Sequence, residues 1–166
     1  RRRRRCTRTS GSARALLPSR IPAEGTRRAP VALLTGCIQH ALFGDQNHAT
    51  ARVLTRNGAE VLVPRGQTCC GALHAHAGDR AGARELARRT ISCFEATGAE
   101  AIIVNTSGCG AHMKGYWHLL DDDPAYGARA EAFSRKVQDV SEFLAREPLK
   151  EPIQAVTLTV TYHAPC

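Results

Sequence analysis

Two cysteines side by side, Cys69-Cys70, followed at once by Gly71, are the residues of this chain best placed to do chemistry. A disulfide between neighbours would close an awkward eight-membered ring. Two adjacent thiolates readily offer two soft sulfur ligands to one metal site. A glycine after them lets the backbone turn tightly or come close to a bulky ligand. Taken alone, the pair fits equally well as two small buried residues, because free cysteine packs as a hydrophobe.

The other cysteines decide between these readings. Cys37, Cys69, Cys70 and Cys109 together supply four sulfurs, the number that an iron–sulfur cluster or a structural zinc takes. Zinc ligands usually come in CxxC knuckles, and the chain has none. Glycines 36, 71, 108 and 110 border the cysteines, leaving room for a large inorganic group and exposing backbone N–H groups to its sulfurs. His74 and His76 follow the pair closely, which suits a mixed Cys/His site, a hydrogen bond to cluster sulfur, or plain loop residues facing water. A nucleophilic role for Cys70 with a histidine base is weaker. No oxyanion-hole context accompanies it, and the adjacent thiol would be an oxidation liability.

The segments around these cysteines alternate in period. Val31-Ala32-Leu33-Leu34-Thr35, Glu60-Val61-Leu62-Val63-Pro64, Ala101-Ile102-Ile103-Val104 and Val156-Thr157-Leu158-Thr159-Val160-Thr161-Tyr162 read as strands. Helices are expected over residues 47–57, over 79–97 with Asp79 at the cap, over 111–120 with an apolar stripe of Met113, Trp117 and Leu120, and over 125–146. Asp121-Asp122-Asp123-Pro124 reads as a solvated turn and cap. Strand alternating with helix predicts an α/β domain with a Rossmann-like parallel sheet and flanking helices. Cys37, Cys69-Cys70, Cys109 and Cys166 each fall just past the carboxyl end of an expected strand, the edge where parallel sheets bind ligands. Cys93 lies inside the second helix and reads as a core residue.

Charge divides the chain. Of the net +8, residues 1–30 hold +9, from ten arginines against Glu24 alone, so the remainder is almost neutral. The basic segment has no apolar periodicity and reads as a disordered linker or tail, without the interleaved aromatics of a nucleic-acid binder. Seven cysteines, an odd count in a chain long enough to build a core, read as reduced thiols of a cytoplasmic protein. No run approaches the roughly 20 apolar residues of a membrane span.

Gly36-Cys37, then Cys69-Cys70-Gly71 after 31 intervening residues, then Cys109, resembles the CCG cysteine-rich domain of heterodisulfide reductases and their relatives. Val31 to Cys37, Val63 to Asp79 with its Cys-Cys-Gly-Ala-Leu-His-Ala-His run, and Gln138 to Phe143 most closely resemble the glycolate oxidase iron–sulfur branch of that family. The resemblance implies a first CCG lobe over residues 31–155 and the opening of a second over 156–166, where Tyr162-His163-Ala164-Pro165-Cys166 stands in place of Tyr-His-Asp-Pro-Cys. It further implies an electron-transfer subunit of an oxidoreductase complex, not catalytic by itself. That subunit would carry an iron–sulfur cluster of [4Fe–4S] type. Cys37, Cys69, Cys70, Cys109 and Cys166 would be metal ligands, with Gly36, Gly71, Gly108 and His74 around them. Its partners would be flavin-containing subunits that oxidise glycolate to glyoxylate, together with a ferredoxin-like domain and second lobe of the same subunit. Association with the inner membrane would be peripheral at most. Equivalent subunits serve lactate or glycerol-3-phosphate oxidation. Thr106 stands where the family's closing CxxC would place a fifth sulfur, which leaves four ligands in this lobe and motivates an alternative: a non-redox module that binds flavoproteins with vestigial cysteines.

Overall fold

The short apolar runs become strands of one five-stranded sheet in the computed structural model of the chain, which describes residues 16–146, 149 and 157–161. Four strands are parallel: β2 (Ala29–Leu33), β3 (Ala59–Leu62), β4 (Ala101–Val104) and β5 (Val137–Asp139). A fifth, β1 (Arg20–Ile21), adds antiparallel to β3, giving the order β1-β3-β2-β4-β5. The chain leaves β2 toward β3 and returns across it to β4, so the strand order reverses between β2 and β4, the switch point at which open α/β sheets bind ligands. The expected α/β class and largely parallel sheet are present.

Alternation along the central strands builds a core on each face. Val31, Leu33, Ile103 and Val61 pack with Ala51 and Leu54 of α1 (Cys37–Arg56). Ala32, Leu34, Ile102 and Val104 pack on the other face with Ala87, Ile91 and Phe94 of α3 (Arg80–Glu95). Between these helices lies the short α2 (Ala72–His76). Beyond β4 come α4 (Ser107–Lys114), α5 (Tyr116–Leu119) and α6 (Gly127–Lys136), and α7 (Val140–Arg146) follows β5.

Several expectations need correction. The fold begins before residue 31: Leu17 is buried, β1 lies in the stretch read as linker, and the boundary at 30 falls within β2. Glu60 on β3 supplies the reason. Its buried carboxylate needs a counter-charge, and Arg20 and Arg27 provide it. The 125–146 helix divides, because Val137, Gln138 and Asp139 pair with Ile102, Ile103 and Val104 on the free edge of β4. Its spacing of Phe133, Val137 and Val140 imitates a helical stripe across that interruption. The strand expected over 156–162 is absent at its described residues, 157–161, which are irregular and exposed; Val156 and Tyr162 lie outside the described residues. Of the stripe on 111–120, Met113 and Leu120 are buried but Trp117 is 54% exposed. Asp123 is buried rather than solvated, its Oδ2 accepting from Arg88 Nε at 2.7 Å. No helix among the described residues is long and apolar enough to cross a membrane.

Candidate metal centre

Three βα junctions meet at the carboxyl edge of β2, β3 and β4. Cys37 is the first residue of α1 and follows Gly36, whose φ of 68° is a left-handed conformation natural to glycine. Cys69 and Cys70 lie in the loop between β3 and α2 and are followed by Gly71, also left-handed at φ 89°. Cys109 sits in the first turn of α4, after β4. Thr106, where the family pattern would place a fifth sulfur, is the N-cap of that helix.

Amides hold the junctions together. Gln67 Oε1 accepts from the Thr35 N–H at 3.0 Å, and Gln67 Nε2 donates to the Leu33 carbonyl at 3.1 Å, tying the cysteine loop to the end of β2. Asn47 donates to the Thr35 carbonyl at 2.9 Å. Asn105, at the end of β4, donates to both Asn47 Oδ1 and Thr50 Oγ1 at 3.0 Å. Below the pair, the hydroxyl of the fully buried Tyr116 donates to the Cys70 carbonyl. Polar residues just past strand ends were the signal available for Gln67 and Asn105; nothing in the sequence marked Tyr116.

The four thiols interact with one another. Cys37 lies beside Cys69, and Cys70 beside both Cys109 and Cys69, near enough to perturb one another's ionisation. The Cys109 thiol, reinforced by burial, pushes the Cys70 thiol far above the ordinary cysteine range. Cys70 in turn pulls Cys109 down, against burial and the neighbouring sulfurs of Cys37 and Cys69. Desolvation and the neighbouring Cys69 raise Cys37, which is otherwise the exposed member of the set. The Gly71 N–H donates to Cys69 Sγ at 3.4 Å.

Sulfurs arranged this way resist ionising together unless a cation takes up their charge, and a metal group does so by displacing the protons. The first turns of α1 and α4 add favourable backbone dipoles to thiolates at Cys37 and Cys109. Among the described residues, no group of three or more His, Cys, Asp or Glu is set to hold a metal ion. The four-thiol donor set fits an iron–sulfur cluster, and Gly71 lets the cysteine turn pack closely against α3 and His112. A Cβ on Gly71 would meet backbone atoms of Ala83 at 3.3 and 3.4 Å and His112 Nε2 at 3.4 Å.

Other expected residues are distributed differently. Gly108 faces open space. The ring of His74 lies against the first turn of α3, near Gly82, and its Nδ1 is buried with no hydrogen-bond partner. Cys93 packs at the margin of the core, its thiol donating to the Arg65 carbonyl at 3.6 Å. Cys6 and Cys166 lie outside the described residues. A cavity of about 360 Å³ beside Cys37, lined by His40, Asn47, His48 and Gln67 among others, opens on the same edge.

Known proteins resemble the chain in sequence. The chain is 38% identical over 151 residues to a probable glycolate oxidase iron-sulfur subunit of Bacillus subtilis, covering 90% of this chain and 34% of that protein. It is 35% identical over 161 residues to the glycolate oxidase iron-sulfur subunit of Escherichia coli, covering 89% and 39%. Lactate utilization protein A of an Exiguobacterium species is 34% identical over 137 residues, covering 82% and 56%. The chain thus spans roughly a third to a little over half of these relatives. No solved structure matches it. The pattern of the cysteine-rich CCG domain matches residues 31–114, the stretch containing all four interacting thiols, and the chain belongs to that family.

Proposed function

We propose that Cys37, Cys69, Cys70 and Cys109 hold an iron–sulfur cluster of [4Fe–4S] type, and that the chain is the electron-relaying part of a glycolate-oxidising complex. The observation that carries this reading is the meeting of four thiols from three βα junctions in one mutually interacting set. When bound, such a group supplies one-electron storage at a potential set by burial and by hydrogen bonds to its sulfurs. The chain itself contributes the four ligands, the amide-braced loops that hold them in register, and the Gly71 N–H aimed at sulfur. Gly36 and Gly71, each adjacent to a ligand and left-handed, complete the turns that present the sulfurs.

The relatives' names support a place in a glycolate oxidase; in our reading, flavin-containing subunits oxidise glycolate and this subunit receives the electrons singly in the cytoplasm, at most peripheral to the inner membrane. Cys166 belongs in this reading to a second lobe. Likeness to lactate utilization protein A over 82% of the chain favours lactate as the second substrate reading. Anaerobic reconstitution with iron and sulfide, followed by iron and sulfide assay and EPR of the reduced protein, tests the cluster. Roughly stoichiometric iron and sulfide with a cluster signal is the expected result. A folded, colourless, iron-free protein would instead leave a partner-binding module with idle cysteines.

A further inference from the structure

His112 is not one of the sulfur ligands, yet its surroundings are unusual. It stands three residues after Cys109 on α4, a spacing that puts both on one helix face. Its ring meets Tyr116 edge-on, with centroids 5.4 Å apart and planes at 88°. Tyr116 in turn holds the Cys70 carbonyl through its hydroxyl. On the other side, Nε2 lies 3.4 Å from where a Cβ on Gly71 would be, so the missing side chain after the cysteine pair leaves the space that the imidazole enters. That nitrogen is buried and has no hydrogen-bond partner in the structure. A buried polar nitrogen left unpaired is costly. The ring is thus clamped between the Cys70-Gly71 turn and the Cys109 helix with one hydrogen-bonding position unused.

We propose that His112 is a positioning residue that donates a hydrogen bond from Nε2 to a sulfur of the iron–sulfur group held by Cys70 and Cys109, and that this bond raises the reduction potential. The inference rests on the cluster reading above. Burial, with the neighbouring His76, holds the imidazole below its ordinary value, so the ring is neutral near pH 7 and carries one N–H. An added electron increases the negative charge on the sulfurs. A fixed N–H donor therefore stabilises the reduced form more than the oxidised one. No proton needs to move with the electron.

The test compares the wild-type chain with His112→Phe and His112→Gln, each reconstituted without oxygen and assayed first for iron and sulfide. Phenylalanine keeps the ring contact with Tyr116 but removes the donor, and glutamine keeps an N–H. In an EPR-monitored redox titration, His112→Phe should disfavour reduction by roughly tenfold, about 59 mV for one electron, with at least half of that shift recovered by His112→Gln. Pulsed EPR on protein labelled with ¹⁵N-histidine should show a nitrogen coupling that His112→Gln abolishes. An unchanged potential in an iron-loaded His112→Phe protein would overturn the inference while leaving the cluster intact. If His112→Phe fails to assemble, persistence of the full nitrogen coupling in His112→Gln overturns it instead. Absence of iron from the wild type removes the cluster reading itself, and this inference with it.

Discussion

The two long crossover helices, α1 and α3, lie on opposite faces of the same sheet and are built by different rules. Helix α3 starts at Asp79, whose side chain accepts from the Gly82 N–H at 2.9 Å, and buries Ala83, Ala87, Ile91 and Phe94 at helical spacing. Helix α1 starts at Gly36 without a side-chain cap and is interrupted by non-helical angles at Phe43. It leaves Ile38, Leu42 and Phe43 about half exposed before its regular, buried portion begins. The irregular turns are those that deliver Cys37 to the other thiols. One helix is organised by the core throughout. The other is organised by the core only in its second half, and local rules are most often broken where a site takes precedence.

The largest test of this division is to remove a sulfur. Substituting Cys37, Cys69, Cys70 or Cys109 by serine should reduce iron retained after anaerobic reconstitution by more than the 10–100-fold typical of losing an outer-sphere partner. Cys93→Ser, on α3, should retain wild-type iron. Equal losses at Cys93 and Cys37 would erase the functional contrast between the two helices. Next in size is stability. Ile91→Ala on α3 opens a cavity in a fully buried position and should cost about 2–5 kcal/mol in urea denaturation. Ile38→Ala on α1, half exposed, should stay within about 0.5 kcal/mol. Comparable losses would mean that the first turns of α1 are packed as tightly as α3.

A smaller effect is expected at the cap. Asp79→Ala should cost about 0.5–2 kcal/mol, since it frees the Gly82 N–H that the carboxylate accepts. Asp79→Asn should recover most of that stability in the same denaturation experiment. A full loss with asparagine would show that charge, and not the acceptor, is what the helix start requires.

What could be read from the sequence follows the same division. Asp79, the apolar spacing of α3 and the runs of β2, β3 and β4 are local signals, and they placed the sheet and the carboxyl edge where Cys37, Cys69, Cys70 and Cys109 meet. The early start of α1 was hidden because Ile38, Leu42 and Phe43 do not face the core. Strand β5 was hidden because its pairing with β4 is a long-range requirement that no neighbouring residue announces. A cue to the break did exist: Asp139 and Glu142 form a capping box, Asp139 Oδ1 accepting from the Ser141 N–H and Glu142 Oε2 from the Asp139 N–H, both at 2.8 Å. Segment β1 was masked by the arginines around it, whose partner Glu60 lies about forty residues away in the chain.

The smallest expected effect separates the two faces by pH. The braces of the thiol edge, Gln67, Asn47 and Asn105, are amides and do not titrate. The α3 face is held by ions: Arg88 donates to Asp123 at 2.7 Å, and Arg84 pairs with Asp122 at 2.6 Å. The Arg88 bond, with further bonds from the Ala125 and Tyr126 N–H groups, holds the Asp123 carboxyl below its ordinary value despite partial desolvation. A depressed folded-state pKa means the stabilisation is complete above the ordinary aspartate value of about 3.9 and disappears as pH falls through the lower, folded value. Urea midpoints should therefore decline on acidification below about pH 4. Asp123→Asn should lower stability at pH 7 and flatten that decline. The chain's single tryptophan, Trp117, sits six residues before Asp123 and gives the fluorescence signal. Because Arg88 is about one-third exposed, solvent screening keeps the effect modest, and added salt should shrink it further. An acid limb unchanged in both Asp123→Asn and Asp122→Asn would transfer the pH dependence to carboxylates off that face, such as Glu60 with its arginines on β3, and the contrast between an ionic α3 face and an amide-braced thiol edge would no longer hold.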